Sequence, residues 1–260
     1  MLTTRLIPCL LMSNGALVKT VRFKNPIYVG DPINAVRIFN QKEVDELILL
    51  DIEATTHNRR IDYKTLEKVF SECFMPICYG GGVNTLDDMR RLFNLGIEKI
   101  SLGAAAFEKP ELIRQASAEF GNQAIVVTLD IKKKLLGGYS VRTHQGKKDT
   151  KINVVNAAKM VEKLGAGEIL LNSIDHEGTW SGFDLTLIHE VTHAINLPVI
   201  ACGGAGSLQD VHLAVSKGGA SAVAIGSMAV FQGKDLGVLI KFPTRKDQEA
   251  VFTQERGCNE

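Results

Sequence analysis

Asp130 closes the apolar run Val126-Val127-Thr128-Leu129-Asp130. A carboxylate at the end of such a run can have its pKa raised by its surroundings and then serve as a general acid or base. An aspartate there can equally do no more than cap the next connection. Two glycine runs, Gly80-Gly81-Gly82 and Gly203-Gly204-Ala205-Gly206, each follow a short apolar segment. Backbone N–H groups left open in such turns, at helix N-termini, are how a phosphate is cradled. Ile225-Gly226-Ser227 supplies a further turn beside the second run. One glycine turn is more often only a tight strand-to-helix connection. Two at matched positions imply a ligand with two anionic ends lying across one opening.

The matching is internal repetition. Met75-Pro76-Ile77-Cys78-Tyr79-Gly80-Gly81-Gly82, followed by Thr85-Leu86-Asp87-Asp88, returns as Leu197-Pro198-Val199-Ile200-Ala201-Cys202-Gly203-Gly204, followed by Ser207-Leu208-Gln209-Asp210. Pro76 and Pro198 give the offset, 198 − 76 = 122, and Glu46 and Glu168 share it. Gly103 and Gly226 continue the series with one residue inserted. A repeat this long holds several strand and helix units, unlike a solenoid period of a few tens of residues.

Residues 98–102, 124–129, 168–171, 198–201 and 220–225 are largely apolar on both faces, as strands of a covered parallel sheet must be. Between them lie amphipathic segments. Residues 85–95 place Leu86, Met89, Leu92 and Phe93 on one stripe, Pro110 opens a helix over 111–120, and Gly96 and Gly165 stop helices. Strand and helix alternate about eight times over 260 residues, which predicts an α/β fold, a single (β/α)8 barrel with a twofold half-barrel repeat, rather than an open sheet. The barrel is expected over 1–245, with a polar tail frayed over 246–260. Chemistry in such a barrel sits where the strands end and the βα loops gather, so Asp130 and the glycine turns share one mouth. The half-repeat lays residues 6–11 over 125–130 and puts Leu11 opposite Asp130.

Thirty basic and 29 acidic residues give a net charge of +1, so no global field draws nucleic acid or a membrane surface. The apolar run 6–12 is short and reads as the first strand rather than a signal peptide; no segment is long enough to span a bilayer. Cys9, Cys73, Cys78, Cys202 and Cys258 are odd in number and unclustered, implying reduced thiols and a cytoplasmic protein. His189-Glu190-Val191-Thr192-His193 matches the H-E-x-x-H zinc pattern. Its helix falls on the outer ring, away from the mouth and without a clear third ligand, so neither a metal nor a cofactor is expected. Residues 135–150 read as a hairpin after the fifth strand that either covers the mouth, meets a partner or simply faces solvent. Trp180 could stack on a ligand or anchor a neighbouring protein.

Over almost the whole chain the sequence resembles the cyclase subunit of imidazole glycerol phosphate synthase. The likeness is carried by Arg5-Leu6-Ile7-Pro8-Cys9-Leu10, Gly30-Asp31-Pro32, Asp45-Glu46-Leu47, Leu50-Asp51-Ile52, Gly80-Gly81-Gly82, Gly165-Ala166-Gly167-Glu168-Ile169-Leu170-Leu171 and Gly203-Gly204-Ala205-Gly206. The resemblance implies a barrel that takes ammonia from a glutaminase subunit docked on its N-terminal face and conducts it through the interior. At the mouth, two aspartates then assist ring closure on a substrate with two phosphates, a lyase reaction of histidine biosynthesis. It assigns one aspartate to Asp130 and the other to position 11, where Leu11 cannot transfer a proton. A phosphate-contacting Asn-Thr becomes Gly103-Ala104, and a Thr becomes Asn172. The charged residues ringing the ammonia entrance are all matched, by Arg5, Glu46, Lys99 and Glu168.

That combination is similar to a narrower branch, cyclase-like proteins associated with sugar amidation in bacterial surface-polysaccharide synthesis. Leu10-Leu11, Leu17-Val18-Lys19-Thr20-Val21, residues 28–35, residues 74–79 and Val238-Leu239-Ile240 carry the likeness. It implies delivery of ammonia to an ATP-dependent amidotransferase acting on a nucleotide sugar, rather than cyclisation. The expected ligand-binding set is Lys19, Gly81, Gly82, Gly203, Gly204, Gly226 and Ser227; the expected ammonia gate is Arg5, Glu46, Lys99 and Glu168. A working cyclase with a rearranged acid and a binding barrel outside any catalytic complex are the competing readings.

Overall fold

A computed structural model describes residues 4–234 and 237–253. The chain enters as β1 (Arg5–Ser13), doubles back as a hairpin of β2 (Ala16–Val21) and β3 (Lys24–Gly30), and crosses through α1 (Pro32–Gln41) to β4 (Leu47–Asp51). Helices α2 (Tyr63–Phe70) and α3 (Leu86–Asn94) flank β5 (Ile77–Gly80), and β6 (Lys99–Leu102) leads into α4 (Ala104–Glu108) and α5 (Glu111–Phe120). The second half repeats the plan. β7 (Ile125–Lys133) is followed by β8 (Tyr139–Thr143), β9 (Lys148–Asn153), α6 (Val154–Leu164), β10 (Glu168–Ser173), α7 (Leu185–Thr192), β11 (Val199–Cys202) and α8 (Leu208–Ser216). Then come β12 (Ala222–Ile225), α9 (Ser227–Val230) and α10 (Arg245–Thr253).

Strands β1, β4, β5, β6, β7, β10, β11 and β12 pair in parallel in that order, and β12 pairs β1, closing the barrel. The twofold repeat is visible in the caps. Thr85 and Asp88 form a capping box on α3, and Ser207 and Asp210 form its counterpart on α8, each satisfying helix N–H groups that would otherwise lack partners. Gly165, at φ 96°, closes α6 in the left-handed conformation, as a glycine stop should.

Both half-barrels carry a hairpin after their first strand. The one after β7 is expected from sequence; β2–β3 after β1 is not, because Arg22-Phe23-Lys24-Asn25 lacks a Gly turn and is made by non-glycine residues at positive φ. β7 also runs past the expected 129 to Lys133, since Asp130 and Ile131 still pair with β10 and the strand from Asp130 to Lys133 pairs with β8. Within 246–260, where fraying is expected, residues up to Thr253 belong to α10, which lies against α8. The rest of that tail, with Cys258, lies outside the described residues.

Side chains alternate across the wall. On β1, Leu6, Leu10 and Met12 join the core shared with the helices, while Ile7, Cys9 and Leu11 join the interior cluster with Ile48, Val126, Leu170 and Ile200. Arg5, Ile7, Cys9 and Leu11 are thus one face of one strand, running about 20 Å from the N-terminal end to the mouth at ~3.3 Å per residue.

Candidate functional site

Charged residues fill the N-terminal end of the barrel. Arg5, Lys99 and Glu168 are the first residues of β1, β6 and β10, and Glu46 directly precedes β4. Arg5 Nη1 donates to Glu46 at 2.6 Å and its Nη2 to Glu168; Lys99 Nζ donates to Glu46 at 2.9 Å and to Glu168 at 3.1 Å. The four alternate in sign and neutralise one another. Both glutamates are buried while Arg5 and Lys99 are half-buried. Burial works against charge on the two cations, but the glutamates outweigh it and hold both pKa values above their ordinary ones.

At the opposite end a cavity of about 230 Å³ opens between the βα loops. Asp130 lines it, half-buried, with Asn172 Nδ2 donating to its Oδ1 at 3.1 Å. The two are register partners on β7 and β10. Burial raises Asp130 to about 7, the hydrogen bond from Asn172 opposes, and nearby Glu177 adds to the rise. Leu11 also lines the cavity and is buried. The position opposite Asp130 is therefore apolar.

A second carboxylate does enter the cavity, and sequence reasoning missed it. Glu177, in the loop after β10, is buried, accepts a hydrogen bond from Thr20 Oγ1 at 3.0 Å, and has its pKa raised by burial against the pull of Lys19. A charged residue just beyond the end of a barrel strand was the available signal. Lys19 reaches in from β2 and donates to the Cys9 carbonyl at 2.9 Å. Cys9 and Cys202 line the cavity beside it, and the interaction of their thiols holds Cys9 below and Cys202 above the ordinary thiol pKa.

The expected ligand-binding residues gather at this mouth. Gly81, Gly82, Gly203, Gly204, Gly226, Ser227 and Lys19 all line it. The glycines also have a packing reason. A Cβ on Gly81 would lie 2.2 Å from the Asp51 carbonyl oxygen, and one on Gly204 would lie 2.1 Å from that of Gly182, both at positive φ. Beside Gly226 the missing Cβ leaves room for the Lys19 ammonium, 2.3 Å from where that carbon would sit. Gly103 and Ala104 line the rim with no side-chain hydrogen-bonding group.

The chain spans nearly the whole of the proteins it is similar to. Residues 5–235 match the family described as histidine biosynthesis protein. A Pseudomonas aeruginosa protein named "Putative imidazole glycerol phosphate synthase subunit hisF2" is 49% identical over 243 residues, 94% of this chain and 97% of that protein. The chain belongs to the HisF family of imidazole glycerol phosphate synthase subunits. A Leptospira interrogans protein named "Putative imidazole glycerol phosphate synthase subunit HisF" is 44% identical over 97% of this chain and 100% of its own length. "Imidazole glycerol phosphate synthase subunit HisF" of Nitratidesulfovibrio vulgaris is 42% identical over 88% and 90%.

The β8–β9 turn does cross the mouth: Gln145 Nε2 donates to the Ile52 carbonyl at 2.7 Å and Lys148 pairs with Glu108 at 2.8 Å. Trp180 packs against the outer core and is not part of the cavity wall. His189 and His193 stack on the outer helix with ring centroids 3.8 Å apart; among the described residues no third His, Cys, Asp or Glu joins them as a metal site. No helix among the described residues is long and apolar enough to cross a membrane.

Proposed function

We propose that this chain is a cyclase-like barrel that conducts ammonia and does not close an imidazole ring. A glutaminase docks at the N-terminal face, ammonia passes the Arg5, Glu46, Lys99, Glu168 ring and the apolar interior, and an ATP-dependent amidotransferase acting on a nucleotide sugar takes it at the mouth. The reaction belongs to surface-polysaccharide synthesis in the cytoplasm. The observation that carries this reading is Leu11, an apolar side chain inside the cavity where an acid–base partner for Asp130 would stand. A four-charge ring at the other end supports retained entry, because charges removed from water are costly unless mutually paired, and here each is paired twice.

Glu177 favours a second reading, a working cyclase of histidine biosynthesis in which a displaced carboxylate replaces the one lost at position 11. It is buried, shares the cavity with Asp130 and has a raised pKa. Supplying the pure barrel with the bis-phosphate cyclase substrate and ammonium salts separates the two. No imidazole product above background is expected; sustained turnover, lost in Glu177→Gln, would establish the cyclase instead.

A further inference from the structure

We propose that the tip of the β7–β8 hairpin is the docking element for the acceptor protein at the mouth, which presents an apolar socket edged by carboxylates. The inference rests on the ammonia-conducting reading and adds to it the surface by which the acceptor is held. Leu135 and Leu136 are 106% and 103% exposed, fully in solvent and adjacent. Lone exposed apolar residues are ordinary, but these two sit at a built tip. Lys134 N–H donates to the Gly138 carbonyl at 2.9 Å, Gly137 N–H donates to that of Lys134 at 3.2 Å, and both glycines take positive φ.

The hairpin is braced on either side below its tip. Lys132 pairs with Asp175, the Lys133 N–H donates to Asp175 Oδ2 at 3.0 Å, and Tyr139 Oη bonds Asp184 at 3.0 Å. The leucines are thus held outward rather than left to collapse onto the barrel. β7 carries Asp130 and runs to Lys133, with the tip directly beyond it, and five residues of extended chain span at most roughly 17 Å, so Leu135 lies within that distance of Asp130. A protein seated on the tip lies beside the cavity where ammonia leaves.

Charge selects among occupants. Lys133 and Lys134 lead directly into the leucines, while Lys132 is taken up by Asp175, so a second copy in a twofold contact would oppose two lysine pairs. A carboxylate-edged socket complements them and steers encounter. An anionic lipid surface would also attract lysines, and is therefore an arm of the test.

Binding of the full chain, with its glutaminase, to purified ATP-dependent nucleotide-sugar amidotransferase is compared with that of a Leu135→Ser, Leu136→Ser double variant and a Lys133→Glu, Lys134→Glu double variant. All four sites are at or beside an exposed turn, and circular dichroism with unchanged glutaminase binding verifies the fold. The leucine variant should bind the amidotransferase at least tenfold more weakly, in the range of lost central contacts, and lose glutamine-dependent but not ammonium-dependent product. The charge variant should bind more weakly with a flatter salt dependence. Wild-type binding with unchanged affinity in the leucine variant would overturn the docking proposal and leave conduction standing. Absence of any wild-type binding would overturn both. Leucine-dependent sedimentation with phosphatidylglycerol vesicles, or leucine-dependent dimerisation in the ultracentrifuge, with no effect on amidotransferase affinity, would assign the tip to a membrane or a second copy and overturn it as well.

Discussion

Asn172 Nδ2 donates to Asp130 Oδ1 at 3.1 Å, so the carboxylate on β7 at the mouth is held by a neutral amide. Burial is left to dominate, and the carboxyl rises from its ordinary 3.8 to about 7. A group whose folded pKa is raised binds its proton more tightly folded than unfolded. It therefore takes stability away as pH climbs from about 4 to about 7, and its contribution is constant above that range. The whole difference is on the order of 4 kcal/mol at ~1.36 kcal/mol per pKa unit.

Asp130→Asn removes the titration while keeping an oxygen for Asn172. The variant should match wild type near pH 4 and exceed it in stability at pH 8, read as the difference in urea midpoints. An equal difference at both pH values would mean that Asp130 ionises without a burial cost.

Gly81→Ala and Gly204→Ala should behave alike, because each glycine sits at positive φ against a backbone carbonyl oxygen, that of Asp51 for Gly81 and that of Gly182 for Gly204. An added Cβ would approach to 2.2 and 2.1 Å, and the positive φ adds about 1–3 kcal/mol of strain. Gly103→Ala, with nothing within 4 Å of its Cβ and no positive φ, is the control. Each of the first two should lower Tm by several degrees and the control by almost none. If all three melt together, backbone crowding does not explain the glycine turns.

What the sequence made legible follows from what is local. The barrel and its twofold repeat rest on periodicity and spacing, which one chain displays. Glu177 was hidden because its importance lies in contacts with Thr20 and Lys19, about 157 positions away in the case of Thr20, brought together only by closure of the barrel. The β2–β3 hairpin was missed because Arg22, Phe23 and Asn25 adopt left-handed backbone without the glycine that normally signals it.

Restoring one carboxylate should not restore cyclisation. Leu11→Asp supplies a group able to transfer a proton, an assistance worth roughly 10²- to 10⁴-fold where it is well positioned. The rim at Gly103 and Ala104 would still offer no side-chain hydrogen bond to a phosphate. Imidazole formation by Leu11→Asp should stay within a few-fold of background; strong turnover from this single change would show that position 11 alone separates the two activities.

The ring gives the sharpest test of conduction. Lys99 joins both glutamates, and Lys99→Ala leaves Glu46 and Glu168 sharing Arg5 alone. Breaking a fully buried pair costs about 3–5 kcal/mol; Lys99 is 21% exposed, so water screens part of the imbalance and the loss should be smaller. Activity is therefore compared at a temperature where circular dichroism shows both barrels folded. In the complex with glutaminase and sugar amidotransferase, Lys99→Ala should lower glutamine-dependent amidation or let glutamine hydrolysis outrun product. Added ammonium, entering from solvent at the acceptor, should sustain the wild-type rate. Arg5→Ala and Glu168→Gln should uncouple in the same sense. Coupling equal to wild type in every ring variant would make these four charges a structural plug, with ammonia reaching the acceptor by another route.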